Sequence, residues 1–254
     1  MTLIRLLRAL PLLLAIAGCS TLADPDVEDT NASAAELYNE ARSALRSKNF
    51  QTAIERLETL QARYPFGEHA QQAQLDIIYA YFKSEEWDAA ITAADRFIRL
   101  NPTHPRVDYA LYMRASVNMS RGRDFLGRLF GTERALRDPQ PLRQALADFQ
   151  RLVAEFPATE YAADARERIA ILRDQLARHE LDVARFYQSR AAYVAAANRA
   201  KTIIEGYQDT PAVNEALTIL VDAYQQLGLS ELRQDVLRVI REKYPEHPLA
   251  GQSG

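Results

Sequence analysis

The sequence predicts an all-α protein in which helix–turn–helix repeats stack into a solenoid. Glycine (9) and proline (11) are scarce among the 254 residues, whereas good helix formers such as alanine, leucine and arginine are abundant. Residue types also recur every 37 positions, as Ala41, Ile78 and Ala115 do in one series and Ala53 and Ala90 in another. Two helices joined by turns have about this period, and stacked copies bury a continuous core between them.

The residue types within each unit match the tetratricopeptide (TPR) pattern. Small residues let two paired helices approach closely, and large apolar residues fill the space between neighbouring units. A proline follows the second helix in four units, at Pro65, Pro102, Pro157 and Pro245, because proline cannot continue a helix. We therefore predict a TPR-like helical solenoid of five helix–turn–helix repeats over residues 34–247.

The middle of the chain departs from this regularity. The small residues of the two helices are 30 positions apart in the third unit and 12 apart in the first, so we expect an insert at 121–138. No proline or glycine occurs from Ala158 to Glu205, which predicts one long helix over 161–190 that joins the third and fourth units. Arg233 stands where the other units have a small residue.

Residues 1–18 have the features of a lipoprotein signal peptide. Arg5 and Arg8 precede an apolar run that is too short to span a bilayer. The run ends at the single cysteine, Cys19, in the sequence IAGC, which resembles the bacterial lipobox; an ordinary secretory signal with a stray cysteine is the alternative. We expect cleavage before Cys19, lipidation of its thiol, and a flexible polar tether over 19–33.

A stacked array of this kind favours binding along the first helices. The stack curves and leaves a concave groove, which the first helix of each unit lines. In units one to three (34–157) this surface combines aromatic and basic side chains, which suits an extended peptide that carries aromatic residues and a carboxylate. The alternative is that these side chains pack between helices. The predicted groove residues are Tyr38, Arg42, Leu45, Arg46, Leu75, Tyr79, Phe82, Lys83, Tyr109, Tyr112 and Met119.

The last two units (158–247) offer a different surface. The first helix of the fifth unit presents Glu215, Thr218, Asp222 and Gln225, which are polar or acidic. We therefore expect the two halves of the solenoid to bind different partners. Residues 248–254 are expected to form a C-terminal tail.

The sequence predicts no catalytic, cofactor, metal or nucleic-acid site. One cysteine excludes a cysteine-based zinc site, and the net charge of −3 gives no basic surplus for nucleic acid. The glycines over 122–131 lack the Lys-Ser/Thr of a phosphate-binding loop. The histidines are far apart and are expected on the surface of turns; they are His69, His104, His179 and His247.

Several segments resemble the BamD family of outer-membrane assembly lipoproteins. They are RYPFG (63–67), QLDIIYAYFK (74–83), DRFIRLNPTHP (95–105), DYALYMR (108–114), FGTERALRDPQ (130–140) and AYVAAANR (192–199). Several of these lie in turns or in the insert, where helix packing does not dictate the sequence. The resemblance covers essentially the whole mature chain.

The resemblance implies a subunit of the Bam complex, which folds and inserts β-barrel proteins into the bacterial outer membrane. Such subunits are held by lipid at the periplasmic face of the outer membrane. Their C-terminal units dock on a POTRA domain of BamA near an arginine at the position of Arg199, and BamC and BamE are the usual companions. Their N-terminal units are expected to receive C-terminal segments of unfolded barrel proteins. Another periplasmic TPR lipoprotein scaffold of the cell envelope is the alternative that the repeats alone leave open.

Overall fold

The computed structural model of the protein describes residues 32–121 and 138–251, so most of the predicted insert lies outside the described residues. From Ala34 onwards these residues form one compact unit, and all its regular elements are α-helices, as predicted. The helices are α1 (Ala34–Arg46), α2 (Phe50–Arg63), α3 (Glu68–Lys83), α4 (Trp87–Leu100), α5 (Val107–Arg121), α6 (Gln140–Glu155), α7 (Ala162–Ser189), α8 (Tyr193–Gly206), α9 (Ala212–Gln226) and α10 (Ser230–Lys243).

Consecutive helices pair into TPR-like units. Units one to five are α1–α2, α3–α4, α5–α6, α7–α8 and α9–α10, and each helix packs against its neighbours in the chain. First helices also contact one another, α1 with α3, α3 with α5, and α7 with α9. The predicted solenoid of helix pairs is confirmed, and its first helices lie side by side across the units.

The turn within four of the units bends at the same place. Two residues after the first helix ends, φ is positive at Lys48 (61°), Glu85 (60°), Ala191 (56°) and Gly228 (70°). The next N–H donates to the carbonyl five residues earlier, with N–O distances of 2.9 to 3.0 Å, which is the cap expected after a left-handed residue. Lys48 and Glu85 are 37 residues apart, as are Ala191 and Gly228, so the period found in the sequence recurs in the backbone.

Fully buried alanines allow the close approach of the paired helices. Ala53, Ala90, Ala145 and Ala196 each lie ten residues before the end of the second helix, and none has exposed surface. A larger side chain at this position would separate the helices or strain the packing. In the fifth unit Arg233 occupies the equivalent position.

Helix α7 is a single element of 28 residues, which confirms the long helix predicted over 161–190. Near its start, Asp164 accepts a hydrogen bond from the Tyr112 hydroxyl of α5 at 2.8 Å. Near its end, the Gln188 amide donates to Asp222 of α9 at 2.7 Å. Helix α7 therefore belongs to both the third and the fourth unit.

A buried ion pair holds the third unit together. The Arg114 guanidinium donates to both oxygens of the buried Asp148 carboxylate, with distances of 3.0 and 2.7 Å. Arg114 also pairs with Asp95 of α4, and the Gln144 amide donates to Asp148 at 3.1 Å. These contacts satisfy a carboxylate that would be costly to bury alone, and they join α4, α5 and α6.

Two histidines close turns that follow second helices. The ring Nδ1 of His104 accepts from the N–H of Arg106 at 3.0 Å, and that of His247 accepts from Leu249 at 3.1 Å. His247 is buried, and its Nε2 lies 2.8 Å from the carbonyl oxygen of Asn214. The prediction that His247 lies on the surface is therefore wrong, because the turn folds its ring back onto α9.

Candidate functional site

The predicted groove residues divide into a surface set and a core set. Leu75 is 2% exposed and Met119 is 1% exposed, and both pack in one apolar cluster with Phe97 and Phe149. The prediction that these two line a groove is wrong, because each side chain turns into the contact between helices. Arg42, Arg46, Tyr79 and Lys83 are exposed, and Tyr38, Leu45, Phe82, Tyr109 and Tyr112 are half-buried.

Cations lie over the aromatic rings of this surface. The Arg42 guanidinium is 5.9 Å from the centre of the Tyr38 ring. The Lys83 ammonium is 5.5 Å from the Tyr79 ring and 5.7 Å from the Phe82 ring. These contacts hold the cations electrostatically beside the rings. We call this surface the aromatic–basic face, which comprises Tyr38, Arg42, Arg46, Tyr79, Phe82 and Lys83.

Asp76 adjoins this face, although it is absent from the predicted set. Its carboxylate accepts from the Tyr38 hydroxyl at 3.0 Å and from the Gln72 amide at 3.0 Å. Burial and then the Asp76 carboxylate raise the pKa of Tyr38, so the hydroxyl stays protonated and ties α1 to α3. Asp76 and Leu75 lie three and four residues before Tyr79, so helical spacing places both near it and does not single out Asp76.

A cluster of tyrosines extends the aromatic surface into the third unit. The Tyr161 ring lies 6.0 Å from that of Tyr109 and stacks on that of Tyr112 at 4.7 Å. The Arg106 guanidinium is 5.3 Å from the centre of the Tyr109 ring and donates to the Tyr161 hydroxyl at 2.9 Å. Burial raises the pKa of Tyr109, and Asp76 raises it further. Tyr161 was missed because it precedes α7 in a turn, outside the first-helix pattern.

The hydroxyl of Tyr112 is engaged within the protein. It donates to Asp164, which also pairs with Arg168 of the same helix. Burial opposes ionisation of Asp164, but hydrogen bonds from Arg168 and Tyr112 outweigh it and lower the pKa. Arg168 Nη1 also lies 3.8 Å from the sulfur of Met119. Tyr112 and Met119 thus serve the packing of α5 on α7, as the alternative interpretation of the groove residues proposed.

Arg199 shares a buried carboxylate with a second arginine. Its Nη1 lies 3.0 Å from Oε2 of Glu180, and Nη2 of Arg143 lies 2.7 Å from Oε1. The Glu180 side chain is 2% exposed, whereas those of Arg199 and Arg143 are 43% and 44% exposed. Arg199 is therefore accessible to a partner and is also a tie between α8 and α7.

The polar first-helix surface of the last two units is also paired within the chain. Arg185 of α7 forms a two-point contact with the Glu215 carboxylate, with an Nε–Oε1 distance of 2.6 Å. Gln188 donates to Asp222. Two of the acidic groups predicted for this surface are therefore engaged by α7.

Within residues 32–121 and 138–251, no group of three or more His, Cys, Asp or Glu side chains could hold a metal ion. No helix in these ranges combines the length and the hydrophobicity needed to cross a bilayer. Cys19 lies outside the described residues. Rings and cations on adjacent first helices can contact apolar and anionic groups of a polypeptide.

Comparisons with known proteins agree with the resemblance seen in the sequence. Residues 30–239 match the YfiO family, which is described as an outer membrane lipoprotein. Outer membrane protein assembly factor BamD of Vibrio cholerae is 44% identical over 216 residues, covering 84% of this chain and 88% of the relative. BamD of Neisseria meningitidis serogroup A is 43% identical over 247 residues, covering 96% and 92%. BamD of Haemophilus influenzae is 37% identical over 225 residues, covering 89% and 85%. The chain belongs to the BamD (YfiO) family.

Proposed function

We propose that this protein is a non-enzymatic scaffold lipoprotein of the machinery that assembles β-barrel proteins in the outer membrane. Its relatives bear the name of outer membrane protein assembly factors. The observation that carries the proposal is the aromatic–basic face, on which Tyr79, Arg42 and Lys83 are exposed along adjacent first helices. An extended peptide would place its aromatic side chains against the rings and its terminal carboxylate against the cations.

The peptide-binding step can be measured directly. The probe is a fluorescent peptide with the C-terminal sequence of a barrel protein that ends in phenylalanine. We expect Tyr79→Ala to weaken its binding about tenfold, because an exposed ring at the centre of an interface contributes about 1–2 kcal/mol. Lys83→Gln should weaken it less, and amidation of the terminal carboxylate should remove the difference between Lys83→Gln and the original protein.

Leu232→Ala is the matched control, because Leu232 is an exposed apolar residue in the fifth unit, far along the chain from the face. Its binding of the peptide should equal that of the original protein. Unchanged affinity in Tyr79→Ala would refute the assignment of the peptide to this face.

The second part of the proposal is docking on a POTRA domain of BamA. We assign this contact to units four and five, and we expect Arg199 to take part in it. The half-exposed guanidinium supports this role. Arg199→Gln should reduce co-purification with BamA, and Glu180→Gln serves as the control because it breaks the same ion pair while keeping Arg199. Loss of BamA in both variants alike would show that the ion pair, and not contact by Arg199, is responsible. BamC and BamE are expected as companions in the same pull-down.

Attachment to the outer membrane is assigned to acyl chains on Cys19, at the periplasmic face. Several acyl chains bind a bilayer stably, since each buried methylene contributes about 0.8 kcal/mol. Mass spectrometry of the mature protein should find Cys19 as an acylated N-terminal residue. Recovery of the mature chain with an unmodified cysteine would contradict the anchor.

A further inference from the structure

The fifth unit differs from the other four at two positions of its second helix. One position is the buried alanine, which is Ala53, Ala90, Ala145 and Ala196 in units one to four. The other lies three residues earlier and is Phe50, Trp87, Leu142 and Tyr193 in those units. The fifth unit has Arg233 and Ser230 instead. The fifth unit thus lacks a large apolar side chain at Ser230 and carries a long cationic side chain at Arg233.

These exchanges accompany a cavity between α9 and α10. In the second unit, the Trp87 ring packs 5.9 Å from the Phe82 ring. The equivalent residues of the fifth unit are Ser230 and Gln225, which have no ring to fill the space. The cavity measures about 360 Å³. We call this cavity the α10 pocket. The residues that line it are Tyr224, Gln225, Gly228, Ser230 and Arg233.

Arg233 has no anionic partner in the part of the chain that the structure describes. Its Nε is buried and has no hydrogen-bond acceptor there. Two other arginines that lie between helices are paired, Arg114 with Asp148 and Arg185 with Glu215. A buried donor without an acceptor costs about 1–3 kcal/mol, and more when it is charged. Because Arg233 also lines the α10 pocket, an anion bound there would lower the cost of holding this charge without a partner.

The surroundings of Arg233 favour an anion with two oxygens. The guanidinium presents parallel N–H groups that match the geometry of a carboxylate. The pocket also lies at the N-terminal end of α10, whose cap residue Leu229 supplies no side-chain hydrogen bond. The free N–H groups and positive end of such a helix attract negative charge. The Ser230 hydroxyl is a further donor in the same wall.

We propose that the α10 pocket binds the side-chain carboxylate of an acidic residue of a partner protein, which pairs with Arg233. This site is separate from the aromatic–basic face and from Arg199, and it does not depend on the function proposed above. It assigns a binding role to the residue that breaks the repeat pattern.

The proposal is tested by NMR of the full chain, labelled uniformly with ¹⁵N, in detergent micelles. The probes are N-acetylglutamate amide and N-acetylglutamine amide, added at constant ionic strength. The Arg233 Nε–H signal, identified by its loss in Arg233→Ala, should shift downfield and saturate with the glutamate probe only. Arg238 of the same helix is already paired with Asp235 at 2.7 Å and should not respond. Equal shifts at both arginines, or no shift at Arg233, would overturn the proposal.

Two variants and one further probe complete the test. Arg233→Ala restores the residue that four units carry here, so it should fold and lose all response at the pocket, as monitored through the Ser230 amide signal. Arg233→Lys keeps the charge without the planar fork and should raise the half-saturating concentration about tenfold. A response of the Ser230 amide that persists in Arg233→Ala would overturn the role of Arg233. Saturable binding of inorganic phosphate without binding of the glutamate probe would overturn the choice of a carboxylate.

Discussion

Replacing Glu180 with glutamine tests whether one buried carboxylate holds three helices together. The carboxylate accepts from Arg143 of α6 and from Arg199 of α8, at 2.7 and 3.0 Å. Glutamine has nearly the same shape, so the substitution removes the negative charge and one acceptor oxygen while leaving the packing of α7 unchanged. One arginine then keeps a neutral hydrogen bond and the other loses its partner.

The exposure of the side chains sets the expected size of the effect. Breaking a buried ion pair costs about 3–5 kcal/mol when the remaining charge stays buried. Here the remaining charges belong to arginines that are 43% and 44% exposed, so water can hydrate them. We therefore expect Glu180→Gln to lower the free energy of unfolding by about 1–2 kcal/mol, which corresponds to about 2–8 °C in Tm for a chain of this length.

Thermal unfolding followed by circular dichroism measures this effect, and a double-mutant cycle isolates the pair. Arg199→Gln alone and Glu180→Gln alone should each destabilise the protein. The double variant should be less destabilised than their sum by about 1 kcal/mol, because both changes remove one shared contact. A Tm of Glu180→Gln within about 1 °C of that of the original protein would refute the reasoning.

Three further outcomes follow from the turns and the shifted pKa values. Gly228→Ala should lower the free energy of unfolding by about 1 kcal/mol, because φ is +70° there. Ala191→Gly at the equivalent turn should not lower the free energy of unfolding by more than Gly228→Ala does, and urea unfolding compares the two variants. Burial raises the pKa of Tyr109 above 10. The stability that the protonated Tyr109 hydroxyl contributes is therefore complete below the pKa of this tyrosine in the unfolded chain, and it is lost as the pH rises through the pKa in the folded chain. Tyr109→Phe should flatten the loss of stability in urea titrations at alkaline pH. The hydrogen bond from Arg173 lowers the pKa of Asp209. The stability that this hydrogen bond provides is present above about pH 4, and it is lost as the pH falls through the pKa of Asp209 in the folded chain. Arg173→Gln should make the stability less sensitive to acid, and an unchanged dependence on acid pH would contradict this pairing.

The helix pairs could be predicted because their signals are local and periodic. In four units an alanine at a constant distance from the end of the second helix marks a close contact, and a stretch without proline or glycine marks α7. The family resemblance could be predicted as well, because segments such as 63–67 and 95–105 carry sequence that packing does not require. These signals do not depend on knowing which helices meet.

The contacts between side chains could not be predicted in the same way. Leu75 and Asp76 are neighbours in sequence, and a rotation of about 100° decides which one reaches the surface. Glu180 has the sequence context of an ordinary solvated acid, and it is buried only because α6 and α8 bring arginines to it. Tyr161 precedes a helix, so no periodicity points to it. Such residues can be identified only from the three-dimensional structure.

The unbroken helix α7 has a mechanical consequence for the molecule. Its 28 residues extend about 42 Å at 1.5 Å per residue. A turn joins α6 to α7, as turns join the other successive units. Within α7, however, no turn separates the part that contacts α5 from the part that contacts α9, so the two ends of the helix move as one rigid rod. A displacement imposed beside Tyr112 is therefore transmitted to the far end, where Gln188 holds α9.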